Sequence, residues 1–313
     1  MPRRPGASAQ IEPAQLPTVW LTRDRPPQVV AEKLRSGRWE RTSHGVYVAQ
    51  RATEESPYER ARRRALANIA GTDRRLIAPH WFSHESAALL WGLPTWTVPT
   101  RTHVLGPRAA GGERTPSIAS HVGALADGDL TVVSGLPVTS LARTVADCLA
   151  TLPPLHGLVI ADSALHRGLP VADLTAAVHA RTARNGAARA RAVLAIADDG
   201  AESPGESAAR FVVVRDGMPL PTTQVSVGTR LGTYWADLGW EEFRVLLEYD
   251  GRTKYGTSAD LFDEKRRHDA LVETGSRVLR VTSSDLSSLT KRVLPLLPAS
   301  VSRSLRPRRA LAA

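Results

Sequence analysis

One cysteine in 313 residues, Cys148, excludes an intrachain disulfide and any site built from several thiolates. It follows Val145 and Ala146 in a helical pattern, where it reads as a small buried apolar residue. No apolar run approaches the ~20 residues needed to cross a bilayer. The basic start Met1-Pro2-Arg3-Arg4 is not followed by the apolar stretch of a signal peptide, so the expected location is the cytoplasm. The chain has no Gly-rich phosphate loop, no nucleophile elbow and no internal repeat. His44, His84 and His268 have no partner at metal-ligand spacing and read as structural or exposed. Lysine is scarce too, since nearly all of the 41 basic residues are arginine.

What is present suffices for real cores: 42% of residues are hydrophobic, and the length predicts two or three domains. The net charge of +10 is unevenly spread. Residues 1–80 carry 15 Lys/Arg against 8 Asp/Glu, and residues 81–200 balance at 9 against 9. Residues 201–250 are acidic at 4 against 8, and residues 251–313 are basic at 13 against 6. An acidic stretch followed by a basic one suits a phosphodiester enzyme, which needs carboxylates for a metal and cations for a nucleic-acid backbone. A charge-balanced surface in an arginine-rich protein from a G+C-rich genome accounts for the same composition, so DNA is an expected partner on these grounds and no more.

Along the chain, residues 1–17 are rich in Pro, Arg and Ala without periodicity and read as disordered. In 18–80, Pro26-Pro27 opens a short helix that Gly37 stops. Trp39–Thr42 and Val46–Val48 read as strands, and Tyr58–Ala70 as a helix. A helix followed by a small hairpin has the form of the end of a winged helix. Residues 81–200 form a mixed middle region. There Ser83 can cap a helix that Gly92 ends, extended segments lie near Thr102–Leu105 and Thr131–Val133, and a helix runs from Thr139 or Ser140 to Leu149. Residues 201–298 read as helix, three strands (222–228, 232–239, 243–250), a helix over 258–274 and a strand over 276–282, followed by a basic tail, 299–313. The fold class is therefore α+β, with a winged-helix-like front, a mixed middle and a C-terminal α/β domain on a small mixed sheet.

The chemistry gathers in this last region. A two-residue turn at Glu241-Glu242 would pair Trp240 with Phe243, set Asp237 against Leu246 and bring it diagonal to Glu248. Glu248 and Asp250, two apart, share a face, while Val245, Leu247 and Tyr249 point into a core. Three carboxylates on one face repel unless a cation offsets them, and hard oxygen ligands suit Mg²⁺ or Mn²⁺. A solvated sheet face paired with arginines is the competing account.

Asp237, ten residues, then Glu248-Tyr249-Asp250-Gly251 resembles the core of the PD-(D/E)xK nuclease superfamily, and more closely its branch similar to the very-short-patch-repair (Vsr) mismatch endonuclease. The later run Phe262-Asp263-Glu264-Lys265-Arg266-Arg267-His268-Asp269, then Gly275 and Arg277-Val278-Leu279-Arg280, fits that resemblance. It implies a restriction-endonuclease-like domain in which Asp237 and Glu248 ligate the metal with the Tyr249 carbonyl. The lysine that usually follows the glutamate by two residues is replaced by Asp250, as in that branch, so Lys254 or Lys265 would supply the cation. Glu206 would be the helix acid of such a site. It also completes a Ser203-x-x-Glu206 capping box with Pro204 at the first helical position.

The segments Leu34–Tyr47, Ser83–Leu93 and Gly135–Asp147 resemble AbiEi-type antitoxins of type IV toxin–antitoxin systems, which implies DNA binding and a cognate toxin as partner. On these resemblances Arg38, Arg41, Arg266, Arg267 and Arg280 are the expected nucleic-acid contacts. Two functions follow as expectations: a metal-dependent DNA endonuclease of defence or repair type, or a non-catalytic DNA-binding regulator or antitoxin.

Overall fold

A computed structural model describes residues 10–51, 55–107, 116–123, 125–181, 185–251 and 258–312, the side chains of 258–264 excepted. The chain is mixed α+β and divides into two compact units. One is built on Ile11–Cys148 with Ala172–Arg181, the other on Leu149–Val171 and the chain that follows Arg181. No described helix is long and apolar enough to cross a membrane.

The first unit opens with β1 (Val19–Leu21), α1 (Pro27–Arg35), β2 (Trp39–Ser43), β3 (Val46–Ala49) and α2 (Pro57–Asp73). Proline at the start of α1 supplies the helical φ and has no N–H to leave unpaired, and Gly37, at φ +65°, follows the helix end. A full Ser56/Glu59 capping box starts α2. The strands form an antiparallel sheet in the order β1-β3-β2, so a strand before α1 adds to the expected hairpin. Val19, Leu21, Val46, Val48 and Ala67 make its core.

Then come β4 (Trp81–Phe82), α3 (His84–Leu90), β5 (Thr102–Gly106), β6 (Ile118–Val122), β7 (Leu130–Val133), β8 (Leu136–Thr139) and α4 (Leu141–Thr151). They carry a mixed sheet ordered β6-β5-β4-β8-β7, with β5 parallel to β6 and β4 parallel to β8. Phe82, Leu89, Leu90, Val104 and Val138 fill its core. Ser83 stands at the cap position of α3 but makes no capping bond; its hydroxyl turns to His84 instead, at 3.0 Å from Nδ1. Cys148 is fully buried, and burial pushes its thiol well up, as a structural cysteine requires.

After α5 (Pro154–His166) of the second unit, α6 (Val171–Ala180), which falls almost wholly in the first, and α7 (Ala187–Leu194), the second unit continues with α8 (Pro204–Arg215), β9 (Thr222–Thr229), β10 (Gly232–Trp240), β11 (Val245–Tyr249), α9 (Ser258–Glu273), β12 (Arg277–Val281), α10 (Leu289–Val293) and α11 (Ala299–Ser304). The sheet order is β12-β11-β10-β9, antiparallel except that β12 runs parallel to β11. Val245, Leu246 and Leu247 are all buried, so helices cover both faces of β11. Leu246 packs with Val225, Ala236 and Leu271 of α9, whereas α8 lies against β10 and β11. Both faces are thereby covered over residues 245–247, while Asp237, Glu248 and Asp250 are half-buried. The basic C-terminal segment is anchored: the Arg308 N–H donates to the Arg215 carbonyl at the end of α8, and Leu311 is buried.

The connection between β10 and β11 differs from the expected two-residue turn. Glu241–Phe243 form a 3-10 turn and Arg244 takes a left-handed conformation at φ +52°. The extra residues shorten the third strand to Val245–Tyr249 and pair Trp240 with Val245.

A buried ion pair locks α8 to α5. Arg210 and Asp162 are each about 1% exposed and bond directly, and Arg210 also donates to the Ile196 carbonyl. Burial pushes the Asp162 carboxyl up, and the arginine opposes that shift. Asp162 also accepts the Asp198 N–H at 2.9 Å. Arg210→Met should destabilise the protein by about 3–5 kcal/mol, because it strands a buried carboxylate. Asp162→Asn/Arg210→Met should recover most of that loss, since asparagine needs no counter-charge and still accepts from Asp198. Urea unfolding of the three proteins measures both effects; a double variant no more stable than the single one would mean that the pair's role is packing.

Candidate functional site

Four elements of the second unit converge around the expected acids. The paired register ends at Leu238↔Leu247, after Gly239↔Leu246 and Trp240↔Val245; counted one step on, it sets Asp237 against Glu248, two residues from the pairing expected with Leu246. Asp237 interrupts the ladder there. Its Oδ2 accepts the Tyr249 N–H at 2.7 Å, a bond that a backbone carbonyl would ordinarily make. The pairing of β10 with β9 also skips Asp237, beside Gln224 at φ +49°. The aspartate is thus fixed by the backbone of the strand that carries Glu248.

Glu206 enters from the first turn of α8. The Ser203 hydroxyl accepts the Glu206 N–H at 3.2 Å, but the Glu206 carboxylate accepts the Glu202 N–H at 2.8 Å rather than that of Ser203. Only half of the expected capping box forms, and the glutamate is left buried beside Asp237. Gly205 lets this turn approach the sheet: a Cβ there would lie 1.9 Å from the Tyr249 ring.

Electrostatics tie the acids together. Burial first, and then the neighbouring Asp237 charge, raise the Glu206 carboxyl to about 7. Burial raises Asp237 to about 6, with Glu248 and Glu202 adding to the rise and the Tyr249 N–H opposing it. Glu248 sits at the strand end; its Oε1 is buried, its carboxylate accepts from the Tyr234 phenol, and its Oε2 lies 3.6 Å from Arg280 Nε. Arg280 is the residue paired with Glu248 across β11 and β12. The Tyr234 phenol lies beside Glu248, and burial, then that charge, push it up.

Asp250 follows β11, half-buried, with its N–H on the Val281 carbonyl at 2.8 Å. Lys265, Arg266 and Arg267 are exposed on α9, and Arg267 is close enough to act on Tyr234. Lys254 lies outside the described residues. Arg38 and Arg41 belong to the first unit, exposed around the β2–β3 hairpin, with Arg41 Nη2 2.9 Å from His44 Nδ1. The structure therefore brings Glu206, Asp237, Glu248 and Arg280 together, with Tyr234 as a member that the sequence did not single out.

Asp237 and Glu248 lie on neighbouring strands and offer carboxylate oxygens of the kind a hard divalent cation takes, and protonation of Asp237 and Glu206 is favoured where no cation compensates. The carboxylates are not the tightest such group, however. Among the described residues, only His84, His103 and His121 form a trio whose ligating atoms all lie within 4.8 Å of one another. His84 is accordingly not isolated, contrary to its lack of a partner at fixed spacing. Three separate elements carry these histidines, so no local motif announces them.

No family model matches the chain. Over 257 residues it is 28% identical to "Uncharacterized protein Rv2248" of Mycobacterium tuberculosis (strain H37Rv), a match covering 81% of this chain and 89% of the relative. The same figures hold for "Uncharacterized protein MT2308" of M. tuberculosis strain CDC 1551. Among solved structures, the RV2827C protein from M. tuberculosis aligns with a TM-score of 0.37 and 16% identity, over 71% of this chain and 91% of that one.

The raised carboxyls set a sign for stability against pH. Folded Asp237 and Glu206 hold protons up to about 6 and about 7, above their ordinary values of 3.8 and 4.5. That contribution is complete below about pH 4 and is lost as pH rises through 6 to 7. In metal-free buffer the melting midpoint should therefore fall between about pH 5 and pH 8. Glu206→Gln keeps the bond to Glu202 and should flatten the fall, at about 1.4 kcal/mol per pKa unit relieved. Melts of both proteins across that range test this; parallel profiles would show that Glu206 ionises normally.

Proposed function

We propose that the second unit is a metal-dependent endonuclease that hydrolyses DNA phosphodiesters, with a restriction-endonuclease-like, Vsr-like arrangement. The observation that carries this reading is the convergence of Glu206, Asp237 and Glu248, with Asp237 held on the Tyr249 N–H and Glu248 Oε1 buried. Asp237 and Glu248, with the Tyr249 carbonyl, would hold Mg²⁺ or Mn²⁺; such an ion polarises a phosphate and lowers the pKa of water. The Tyr249 N–H orients Asp237, and Glu206 holds or releases a proton beside it. Arg280, with the exposed Lys265, Arg266 and Arg267, supplies the cations that a phosphate backbone requires. Lys254 and Asp250 complete the set that the resemblance nominates.

A second reading draws on the first unit. The exposed arginines around the β2–β3 hairpin, behind α1, suit a winged-helix-like, AbiEi-type regulator that binds DNA without cutting it and answers to a cognate toxin. The pairing of Glu248 with Arg280 favours that alternative, because an internal cation already offsets one acid.

Cleavage of plasmid and mismatched DNA with Mg²⁺, Mn²⁺ or EDTA separates the two. Asp237→Asn should lower metal-dependent cleavage by at least about 100-fold, the scale of losing one electrostatic element around a charged transition state. It should also abolish the rise in melting midpoint that millimolar Mg²⁺ gives the wild type by mass action. No cleavage and no Mg²⁺- or Mn²⁺-dependent shift would leave the regulator as the better account. DNA affinity should fall steeply with salt in either case. Replacing Lys265, Arg266 and Arg267 by Gln should reduce the slope of log K against log salt by about 0.9 for each phosphate no longer neutralised. A slope unchanged by the triple variant would move the DNA-binding surface away from α9.

A further inference from the structure

The first unit holds a group of side chains that the acidic centre does not use. His84 begins α3, His103 lies on β5 and His121 on β6. The parallel pairing of β5 and β6 puts His103 opposite Ala119 and His121 opposite Leu105, so the two histidines are diagonal neighbours. His103 Nδ1 stands 3.0 Å from His121 Nε2. The His84 ring stacks on that of His121 with centroids 3.8 Å apart and planes 17° from parallel, so one of the two rings must turn for both to direct an in-plane lone pair at one ion. His84 is buried and has φ +52°, a conformation that a residue with a Cβ adopts at a cost.

We propose that His84, His103 and His121 bind one divalent transition-metal ion of the zinc class. Imidazole nitrogens suit zinc and its neighbours, not Mg²⁺. Two histidine nitrogens on one tetrahedral zinc, each bonded at about 2.0–2.1 Å, are about 3.3 Å apart, close to the separation between His103 and His121. In the metal-free protein one proton must sit between those two nitrogens, and a metal ion replaces it. One outer nitrogen, on His84, is hydrogen-bonded as in many metal-bound histidines, and a second, on His103, faces a carboxylate. His84 Nδ1 bonds to the Ser83 hydroxyl, and His103 Nε2 lies 3.6 Å from Glu85 Oε2, which leaves His84 Nε2 and His103 Nδ1 for the ion. Burial first, with arginines beside all three and neighbouring histidines beside His84 and His103, keeps the rings below their ordinary pKa.

Three arginines raise the positive potential around the histidines, Arg143 and Arg181 at His84, Arg101 and Arg181 at His121 and Arg101 at His103, and acidic partners offset part of it. Asp147 pairs with both Arg143 and Arg181, and Asp129 takes a second bond from Arg143 at 2.8 Å. Arg101 donates to the Ile118 carbonyl at 2.6 Å. Glu85, raised to about 7 by burial, is the nearby acid left to offset a bound ion, and Cys148 is held as a thiol. Three histidines leave a fourth position for water or Glu85.

The test uses the full chain stripped with EDTA and titrated with Co²⁺, whose visible absorption reports coordination, followed by competition with Zn²⁺. One equivalent of Co²⁺ should bind with visible bands, and Zn²⁺ should displace it. His103→Ala and His121→Ala alter half-buried positions and spare the buried His84; far-UV circular dichroism confirms their fold. Each should lower Co²⁺ affinity by more than the about 10–100-fold that losing a ligand's hydrogen-bond partner costs. Asp237→Asn should leave the titration unchanged, which separates this site from the acidic one. No stoichiometric Co²⁺ or Zn²⁺ binding by the wild type at micromolar metal would overturn the proposal, whether or not the variants fold. Equal binding by His103→Ala and His121→Ala would overturn it as well.

Discussion

A single line of charged hydrogen bonds fixes where the second unit can present its acids. Arg210 pairs with Asp162, Asp162 accepts from the Asp198 backbone, and Asp198 accepts the Thr223 hydroxyl at 2.5 Å and the Gly200 N–H at 2.7 Å. The line joins α5, α8, the 196–200 segment and β9. Arg210 stands four residues, about one helical turn, beyond Glu206 on α8. The buried guanidinium therefore sets the height of the helix above the sheet, and with it the distance from Glu206 to Asp237. Buried charges of this kind contribute little net stability but tolerate few alternative arrangements.

The acids themselves are held under tension. Asp237, Glu206 and Glu248 are taken out of water in one place, and the protein relieves this in three ways: protons on the first two, Arg280 beside the third, and the Tyr249 N–H on Asp237. Only Arg280 is a full counter-charge at neutral pH, and it stands beside one of the three acids. A site that disfavours its own ionised state gains from any cation that enters it, which is the physical basis of the proposed metal requirement. The histidine trio in the first unit works from the opposite starting point. Its rings are neutral because they are buried, so the proposed ion there meets donors rather than charges.

The sequence made the elements of the second unit legible, because each has a strong local signal. Ser203 and Pro204 start α8, Gly275 follows α9, and the apolar run to Glu248 marks β11. The meeting of Asp237 with Glu248 was legible too, although for the wrong register. The left-handed Arg244 is what a sequence pattern could not supply: arginine has no preference for that conformation, and two further residues in the turn move every pair by two. The role of Glu206 was split for a related reason. Its spacing from Ser203 fits a capping box, but the choice between the Ser203 and Glu202 N–H depends on how the chain enters the helix. His103 and His121 were invisible, since only the parallel pairing of β5 with β6 makes them neighbours.

The one parallel pairing in the second sheet has a further consequence, for the order of assembly. Strands β9, β10 and β11 form a meander closed by short turns, whereas β12 reaches β11 only after α9 has crossed over. Closing the longer loop costs more chain entropy, so the meander has the kinetic advantage and β12 docks later. Asp237 and Glu248 lie on the early part, and Arg280 on the late part. During folding the two carboxylates thus meet before their protein-borne cation arrives.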